Sequence, residues 1–388
     1  MAEASILIIL LCLAAVYLGY PLLLLCLAAL AGWGKQRETR SAAAPQSVSI
    51  IICAHNEAAS IGPKLRSVFA SVSNRSETIE TIVCDDGSSD GTANIVERVA
   101  EEAPIPLRLL RLPRGGKAAA LREALSICTC EILVCSDADP LWDEATLGAL
   151  LEPFGNSCVG AVAGEVRSLR TGPAGAWRAG EALFRTYESA IRAAEDRLFG
   201  CVSADGGLFA LRASLAEPVP ADVTDDFFLS SAAVARGYRI AFRPEAAVYE
   251  VAPDGQRQHF RRRVRITVRG LTGVWRRRGL LNPFRTGAYA FGLLFHKLLR
   301  RLAPLLLGPL WLAVFALVLE KGNLASIGAF MLLSAGVVGT AATLLLPFQV
   351  PKLLRLPAYF GIHICGLAWG TILFLGGKRY SQWTPQKR

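Results

Sequence analysis

The two ends of the chain are far more apolar than its middle, and this pattern limits the folds that are open to it. Residues 5–33 carry no charged side chain, although Pro21 interrupts the run. A helix that crosses the hydrocarbon core of a bilayer needs about 20 apolar residues, so this stretch is long enough to span it. Three further apolar stretches follow at about 302–320, 326–347 and 356–376. The sequence therefore predicts membrane helices at both ends of a polar working domain.

A cleaved secretory signal peptide is the alternative for the first apolar stretch. Such a peptide has a basic N-terminal region and a shorter apolar core. The chain instead carries Glu3, and no basic residue, ahead of its apolar run. We therefore expect a retained membrane anchor.

Basic residues flank the apolar stretches on the side of the central region. They cluster at 35–40 and again at 257–278, where nine arginines lie. Lys and Arg mark the cytoplasmic side of membrane proteins, so we predict an integral protein of a bacterial-type inner membrane with a cytoplasmic catalytic domain. Three late crossings would place the basic tail, 377–388, on the opposite side, against the same rule, and a re-entrant or interfacial late segment is the alternative to three crossings. The stretch 286–301 has the pattern of an amphipathic helix lying on the membrane surface.

The overall charge and the cysteines exclude some classes of function. The net charge is +10, but the excess is concentrated near the membrane segments. Such a patch suits anionic lipid headgroups or phosphates, and we expect no nucleic-acid partner. The ten cysteines are scattered, and Cys128 and Cys130 have no matching pair, which argues against zinc. A cytoplasmic location predicts reduced thiols.

The central region alternates short β-rich runs with helical patterns of 10–15 residues. Strands are predicted at 48–53, 78–84, 106–110 and 131–135, and helices over about 58–73, 92–101 and 117–127. This alternation is typical of βαβ units around a parallel sheet. Because the polar motifs all follow strands, we expect them to meet at one edge of that sheet.

Ser136-Asp137-Ala138-Asp139 follows an apolar strand directly and is the strongest single motif. Ligands of open α/β sheets bind outside the carboxyl ends of the strands. Asp oxygens suit Mg²⁺ or Mn²⁺, which are usually held by one or two carboxylates together with substrate phosphates. In isolation such a pair is more often a solvated turn, so its position beside other motifs decides the interpretation.

Two common nucleotide-binding motifs are absent. The first strand is not followed by G-x-G-x-x-G, which disfavours a dinucleotide redox site. Gly115-Gly116-Lys117 is followed by Ala and does not complete a P-loop, which disfavours an ATPase.

The chain resembles the membrane-embedded family 2 glycosyltransferases, because six of its motifs match motifs of that family and follow one another in the same order. This group includes cellulose, chitin and hyaluronan synthases and many lipid-linked sugar transferases. The motifs are Ile52–Glu57, Asp85–Thr92, Gly116-Lys117, Ser136–Asp139, Asp205–Gly207 and Thr224–Asp226. The resemblance covers about residues 46–280. It implies an α/β GT-A fold, a Rossmann-like mixed sheet in a cytoplasmic domain flanked by transmembrane helices.

The resemblance and the apolar pattern together divide the chain into five parts. These are an anchor at 1–34, a GT-A domain at 45–285, an interface helix at 286–301, a transmembrane bundle at 302–376 and a basic tail at 377–388.

The resemblance implies a nucleotide-sugar donor, and a UDP-sugar is the donor that we expect first. Asp137 and Asp139 would hold Mg²⁺ or Mn²⁺ on its pyrophosphate and stabilise the charge of the leaving group. Lys117 would pair with phosphate or close the donor pocket, and a solvated lysine at a helix start is its alternative. The other donor-binding residues that the resemblance implies are Asn56, Glu57, Asp85 and Asp86, the last two toward the base or ribose.

Asp226 is the implied general base, with Asp225 beside it where the family has Glu. It would deprotonate an acceptor hydroxyl as that oxygen attacks the anomeric carbon opposite the leaving group, so one displacement inverts the configuration. An ordinary Asp has a pKa of about 3.9 and is ionised at neutral pH. An N-capping turn before the helix that starts at Phe227 is the alternative for this segment.

The chain departs from the family at the Gln-x-x-Arg-Trp motif of the processive synthases. Gln258, Arg261 and Arg262 give one register, Arg262 and Arg265 another, and neither has the tryptophan. Arginines suit pyrophosphate, but the missing tryptophan removes a platform for an acceptor sugar and disfavours long-chain synthesis. Membrane-surface attachment is the alternative for this cluster. The residues implied for the acceptor or pyrophosphate are Gly206, Gly207, Gln258, Arg261, Arg262 and Arg265.

We therefore predict inverting, metal-dependent transfer of a sugar to a glycan or lipid-linked acceptor at the membrane, in polysaccharide or cell-envelope glycan synthesis. Transfer of one sugar to a polyprenyl phosphate is the alternative within this class. A non-catalytic membrane scaffold that retains the fold is the alternative outside it.

Overall fold

The computed structural model of the protein describes residues 1–31, 42–73, 75–169, 176–251, 255–345 and 354–380. The basic cluster at 35–40 and most of the basic tail, 381–388, lie outside these ranges.

Eight strands build one mixed sheet in the centre of the chain. They are β1 Ser47–Ala54, β2 Thr78–Asp86, β3 Leu107–Leu112, β4 Ile132–Asp137, β5 Leu141–Trp142, β6 Val159–Ser168, β7 Leu208–Arg212 and β8 Arg239–Glu250. Their order across the sheet is β3-β2-β1-β4-β7-β6-β8-β5. The first four are parallel, β7 runs antiparallel to both β4 and β6, and β6 pairs with β8 in parallel. The mixed α/β sheet implied by the resemblance is confirmed.

Seven helices belong to this central part. They are α2 Ile61–Val72, α3 Thr92–Glu101, α4 Lys117–Ile127, α5 Thr146–Leu151, α6 Ala176–Leu198, α7 Asp225–Ala235 and α8 Gln256–Arg276. The spacing of the apolar residues in α2 explains its packing: Ile61, Leu65, Val68 and Val72 lie on one face and are buried. Glycine at Gly116, with a φ of +88°, allows the turn that starts α4.

The sheet separates two apolar cores. Ile50 and Ile52 of β1 are buried in one core, whereas Ile51 and Cys53 are buried in the other. This alternation follows from the two-residue period of a strand, and the near-continuous apolar sequence of β1 is that of a strand covered on both faces. The covered sheet fixes the strand ends, from which the polar loops project.

Four helices in the described ranges are long and apolar enough to cross a membrane. They are α1 Ala2–Ala31, α9 Ala288–Lys321, α10 Leu324–Leu345 and α11 Arg355–Leu375. They carry many exposed large apolar side chains, as lipid-facing helices require. The predicted apolar ends are thus helical.

Helix α9 joins two segments that the sequence analysis treats separately. The predicted interface stretch, 286–301, continues into the apolar run without a break. Thirty-four residues extend about 50 Å, which exceeds the hydrocarbon thickness of about 30 Å. Tyr289 and Leu293 are buried in the core of the sheet domain, and the Tyr289 hydroxyl donates to the Val202 carbonyl at 2.8 Å. The first part of α9 is therefore attached to the domain, and its depth in a membrane stays a prediction.

Candidate active site

The carboxyl ends of the parallel strands bring the predicted donor-side residues to one edge of the sheet. Asp137 at the end of β4 lies opposite Cys53 of β1, and Asp85 of β2 lies opposite Ala54. Two acidic motifs that are about 50 residues apart in sequence thus flank the end of the same strand.

Hydrogen bonds of Asn56 and Glu57 connect the end of β1 to the turn before α3. Asn56 has a φ of +54°, a left-handed conformation that asparagine tolerates better than most residues. Its Oδ1 accepts a hydrogen bond from the Ser89 amide at 2.8 Å. The Glu57 amide donates to Thr92 Oγ1 at 2.9 Å. These contacts organise the loop, and a direct role of Asn56 or Glu57 toward the donor stays a prediction.

Asp86 organises the glycine loop that precedes α4. Its carboxylate accepts hydrogen bonds from the Gly115 amide at 2.7 Å and the Gly116 amide at 2.9 Å, and it is paired with Arg114. The side chain is 2% exposed. Asp85 lies behind it, accepting from the Ser88 amide at 3.3 Å. The structure thus gives Asp86 a positioning contact with the loop, and its binding of a base or ribose stays a prediction.

Lys117 connects the metal motif to the predicted base motif. Its Nζ lies 2.6 Å from Asp137 Oδ1 and 2.8 Å from Asp225 Oδ2. Burial alone would lower the pKa of Lys117, but the carboxylates of Asp137 and Asp225 raise it well above its ordinary value. Burial would raise the pKa of Asp225, but the Lys117 ammonium holds it below its ordinary value. The contacts of Lys117 are those of a charged site residue rather than of a solvated helix start.

Asp226 is a half-buried residue at the start of α7. Thr224 occupies the N-cap but its side chain makes no capping hydrogen bond, so capping does not account for this motif. Asp226 Oδ1 is buried and has no hydrogen-bond partner among the described residues. Burial, followed by the nearby Asp225 carboxylate, raises the pKa of Asp226 above its ordinary value. An unpartnered oxygen of this kind is available to a substrate hydroxyl.

A cavity of about 290 Å³ joins Lys117, Asp137, Asp225 and Asp226 to helices α9 and α11. Its walls come from α4, β4, β6, α6, α7, β8, α8, α9 and α11. Seven carboxylates line it: Asp137, Glu165, Glu181, Glu188, Asp205, Asp225 and Asp226. Ten cations line it: Lys117, Arg185, Arg192, Arg262, Arg263, Arg265, Arg269, Lys297, Arg300 and Arg301. The excess of cations makes the cavity suitable for an anionic ligand.

Helix α8 supplies arginines to the cavity from one face. Arg262, Arg265 and Arg269 are three and four residues apart, the spacing that places side chains on the same side of a helix. Burial, and then the guanidinium groups of Arg269 and Arg262, lower the pKa of Arg265 to about 10. Of the other predicted positions, Arg261 is exposed, and neither it nor Gln258 lines the cavity.

The predicted glycine segment lies beside the metal motif. Gly206 lines the cavity, and a Cβ atom built on it would lie 3.6 Å from Asp137 Oδ2. Asp205, which the sequence analysis did not select as a site residue, also lines the cavity, with its Oδ2 at 3.3 Å from Arg192. Burial would raise the pKa of Asp205, but Arg192 and Arg185 lower it to about 2.

Several cavity residues were missed because they come from distant parts of the chain. Arg192, Lys297 and Arg301 lie on α6 and α9, and the sequence gives no signal that these helices meet the sheet edge. Arg269 could have been found, because it continues the helical spacing of Arg262 and Arg265. Trp275 cannot replace the missing tryptophan here, since it is 61% exposed and does not line the cavity.

The metal motif offers two carboxylates on one short loop. Asp137 lines the cavity and its side chain is 35% exposed. Asp139 is half-buried on the same loop. Within the described ranges, no group of three or more His, Cys, Asp or Glu side chains is placed to hold an ion. Two accessible carboxylates without a third fit a divalent cation that completes its coordination with ligand oxygens.

Two family models match the chain. One, described as glycosyl transferase family 2, matches residues 49–216, and the other, described as glycosyl transferase family group 2, matches residues 171–369. The second alone covers more than half of the chain.

Curated relatives are similar to part of the chain. Poly-beta-1,6-N-acetyl-D-glucosamine synthase of Staphylococcus aureus (strain COL) is 26% identical over 226 residues, which are 57% of this chain and 53% of that protein. An uncharacterised glycosyltransferase of Nostoc sp. is 28% identical over 112 residues, 29% of this chain and 34% of that protein. The match thus spans about half the length of the synthase.

A solved structure matches nearly the whole chain. It is the mannosyltransferase PcManGT from Pyrobaculum calidifontis in complex with GDP-Man and Mn²⁺, with a TM-score of 0.71 and 24% identity. The match covers 97% of this chain and 100% of that one, so the fold extends over both the sheet domain and the membrane helices.

Proposed function

We propose that the chain, which belongs to glycosyl transferase family group 2 and is a glycosyltransferase, transfers a sugar from a nucleotide-sugar donor to a glycan or lipid-linked acceptor at a membrane. The transfer would invert the anomeric configuration of the sugar and would use a divalent metal. The observation that carries this proposal is the cavity, which joins Asp137 and Lys117 to the buried, unpartnered oxygen of Asp226. Donor and acceptor chemistry would meet in one enclosed space.

Lys117, Asp137 and Asp139 support the donor side of the proposal. Asp137 and Asp139 would hold the divalent cation, which stabilises negative charge on the departing diphosphate. The Lys117 ammonium is already shared between Asp137 and Asp225, so it is in place to pair with a phosphate oxygen. Arg262, Arg265 and Lys117 present cations from separate walls of the cavity, which orients a diphosphate rather than only attracting it.

Asp226 would act as the general base on the acceptor side. Its Oδ1 accepts the proton of the acceptor hydroxyl as that oxygen attacks the anomeric carbon, and the bond to the diphosphate breaks on the opposite face. Burial and the nearby Asp225 carboxylate raise the pKa of Asp226 above its ordinary value, which makes its carboxylate a stronger base than an ordinary aspartate. One such displacement inverts the anomeric configuration without a covalent enzyme intermediate.

The acceptor enters from the membrane side in this proposal. Helices α9 and α11 contribute part of the cavity wall, so a lipid-linked or membrane-tethered acceptor has a short path to Asp226. We place the sheet domain in the cytoplasm of a bacterial-type cell, where nucleotide sugars are available, in agreement with the basic segment at 257–278. The poly-N-acetylglucosamine synthase that the chain resembles supports polysaccharide or cell-envelope glycan synthesis as the setting.

The excess of cations favours a second candidate, transfer of one sugar to a polyprenyl phosphate. Lys297 and Arg301 are one helical turn apart on α9 and line the cavity, and neither is in an ion pair within the described part of the chain. They would suit an acceptor phosphate near the membrane. Product length on a gel distinguishes the two: a ladder supports chain elongation, and a single lipid-linked sugar supports the polyprenyl phosphate.

The experiment that tests the proposal is a donor screen of the purified full-length protein. Nucleotide sugars with UDP and GDP are incubated with MnCl₂, and release of nucleoside diphosphate is measured. We expect release from one donor and its loss when EDTA is added. No release from any donor would contradict the proposal, and release that is unaffected by EDTA would remove the metal from it.

A further inference from the structure

A lysine that the sequence analysis did not select lies buried beneath the metal motif. Lys64 comes from α2 and has no exposed surface. Its Nζ donates hydrogen bonds to Ser136 Oγ and to the Pro140 carbonyl, each at 2.7 Å. Ser136 and Pro140 are the residues directly before and after Asp137-Ala138-Asp139, so a single ammonium group holds both ends of the loop.

Ser136 extends this contact to the rest of the site. Its Oγ also accepts from Trp142 Nε1 at 3.3 Å and donates to the Gly207 carbonyl at 2.7 Å. Through Ser136, Lys64 is therefore connected to the glycine segment that lines the cavity beside Asp137. Both hydrogen bonds of Lys64 Nζ are made to neutral oxygens. The centre of the Trp142 ring also lies 5.0 Å from Nζ.

The surroundings of Lys64 make its presence costly. Burial lowers the pKa of this lysine to about 7, although the Asp139 and Asp137 carboxylates favour its charged form. An amine in an apolar core is stabilising only if its hydrogen bonds compensate for lost hydration, and a methionine would fill the same space without that cost. The two bonds to the loop are what a methionine would not supply.

We propose that Lys64 is a positioning residue, which holds Ser136–Pro140 in the conformation that presents Asp137 and Asp139 to the divalent cation. This inference rests on the proposed function, since that function assigns the two aspartates to the metal. Lys64 does not line the cavity, so it acts through the loop.

Positioning and charge predict opposite effects of removing Lys64. A cation behind the two carboxylates repels a divalent cation, so loss of that charge alone would tighten metal binding. Loss of the loop contacts would weaken metal binding, because the carboxylates would sample other arrangements. The direction of the change therefore distinguishes the two roles.

The test is Lys64→Met in the full-length protein, with Mn²⁺ as the probe. We expect the half-saturating Mn²⁺ concentration for donor turnover to rise about tenfold, with a smaller change in kcat at saturating Mn²⁺. We also expect faster amide hydrogen exchange in the segment 136–142 without added metal, while β1 exchanges as in the wild type. An unchanged or lower half-saturating Mn²⁺ concentration, or unchanged exchange in 136–142, would overturn the proposal.

Ser71→Ala is the matched control. Ser71 lies on the same helix and is also buried. Its hydroxyl donates a hydrogen bond to the Glu144 carbonyl at 3.1 Å and accepts one from the Leu147 amide at 2.9 Å. This variant should leave both readouts unchanged, and an equal effect would mean that any loss from α2 disturbs the loop. If Lys64→Met does not fold, Ser136→Ala removes the shared partner and must show the same two changes.

The exchange measurement separates failure of this inference from failure of the proposed function. If the wild type turns over no nucleotide sugar, the proposed function fails, and exchange in 136–142 still shows whether Lys64 holds the loop. If the wild type turns over a donor but Lys64→Met behaves identically, only the positioning role fails.

Discussion

Replacement of Lys117 by Met tests the electrostatic arrangement at the centre of the site. The ammonium of Lys117 lies between Asp137 and Asp225, and its removal leaves two carboxylates without their common partner. Breaking a fully buried ion pair costs about 3–5 kcal/mol. The Asp137 side chain is 35% exposed, so solvent screening weakens its ion pair with Lys117. We therefore expect Lys117→Met to lower the free energy of unfolding by about 2 kcal/mol.

The loss should depend on pH in a defined direction. Lys117 holds the pKa of Asp225 below its ordinary value, so its contribution to stability is present at neutral pH and disappears as the pH falls through the folded-state pKa. In Lys117→Met the pKa of Asp225 rises. The difference in stability between wild type and variant should therefore be largest at neutral pH and shrink in acid.

Thermal unfolding of the detergent-purified protein measures this difference. A loss of about 2 kcal/mol corresponds to a Tm lower by roughly 4–8 °C for a domain of this size. Lys297→Met is the control, because Lys297 lines the same cavity but is in no ion pair within the described residues, and its Tm should not fall. An unchanged Tm for Lys117→Met, or a larger deficit at acidic than at neutral pH, would refute the reasoning.

Three other predictions concern the base, the glycine segment and the arginines. Because the pKa of Asp226 is raised above that of an ordinary Asp, about 3.9, kcat/KM should begin to fall with decreasing pH before the pH reaches that value, and a profile that stays flat down to it would contradict a base of this kind. Gly207→Ala should destabilise the domain by about 1–3 kcal/mol in chemical unfolding, since its Cβ would lie 2.5 Å from Val166 Cγ2, and unchanged stability would show that the contact relaxes freely. Arg265→Gln should raise the KM for the donor about tenfold, whereas the exposed Arg261→Gln should not, and equal effects would remove the distinction between them.

The parallel half of the sheet could be predicted because its signals are local. Strands predicted at 48–53, 78–84, 106–110 and 131–135 are found at Ser47–Ala54, Thr78–Asp86, Leu107–Leu112 and Ile132–Asp137. Each is a β-rich run bounded by polar or turn residues, so its pattern does not depend on distant residues. The family and the glycosyltransferase class followed from six motifs, four of which lie in this half, and they are confirmed.

The cavity could not be predicted because it forms between segments that are far apart in sequence. Arg192 on α6, Arg269 on α8 and Lys297 on α9 meet only after the membrane helices pack on the domain. Lys64 was missed for another reason. In the sequence it is one polar residue in an amphipathic helix, and only the structure shows that it points into the core.

The contacts of Asp86 illustrate the limit of motif reasoning within the predicted half. The motif placed Asp86 at the correct strand end, but its carboxylate accepts hydrogen bonds from the Gly115 and Gly116 amides. The position of a residue along a strand can be inferred from the sequence. Its hydrogen-bond partners depend on the conformation of the next loop, which the sequence pattern does not give.

Asp226→Asn is the measurement that tests the central claim most directly. The substitution keeps the shape of the side chain and removes the base, so transfer should fall by at least about a hundredfold while nucleotide binding stays within about threefold. Asp222→Asn, four residues earlier and paired with Arg276 at 2.9 Å outside the cavity, should retain activity. Near-normal transfer by Asp226→Asn would contradict the assignment of the base and with it the proposed mechanism.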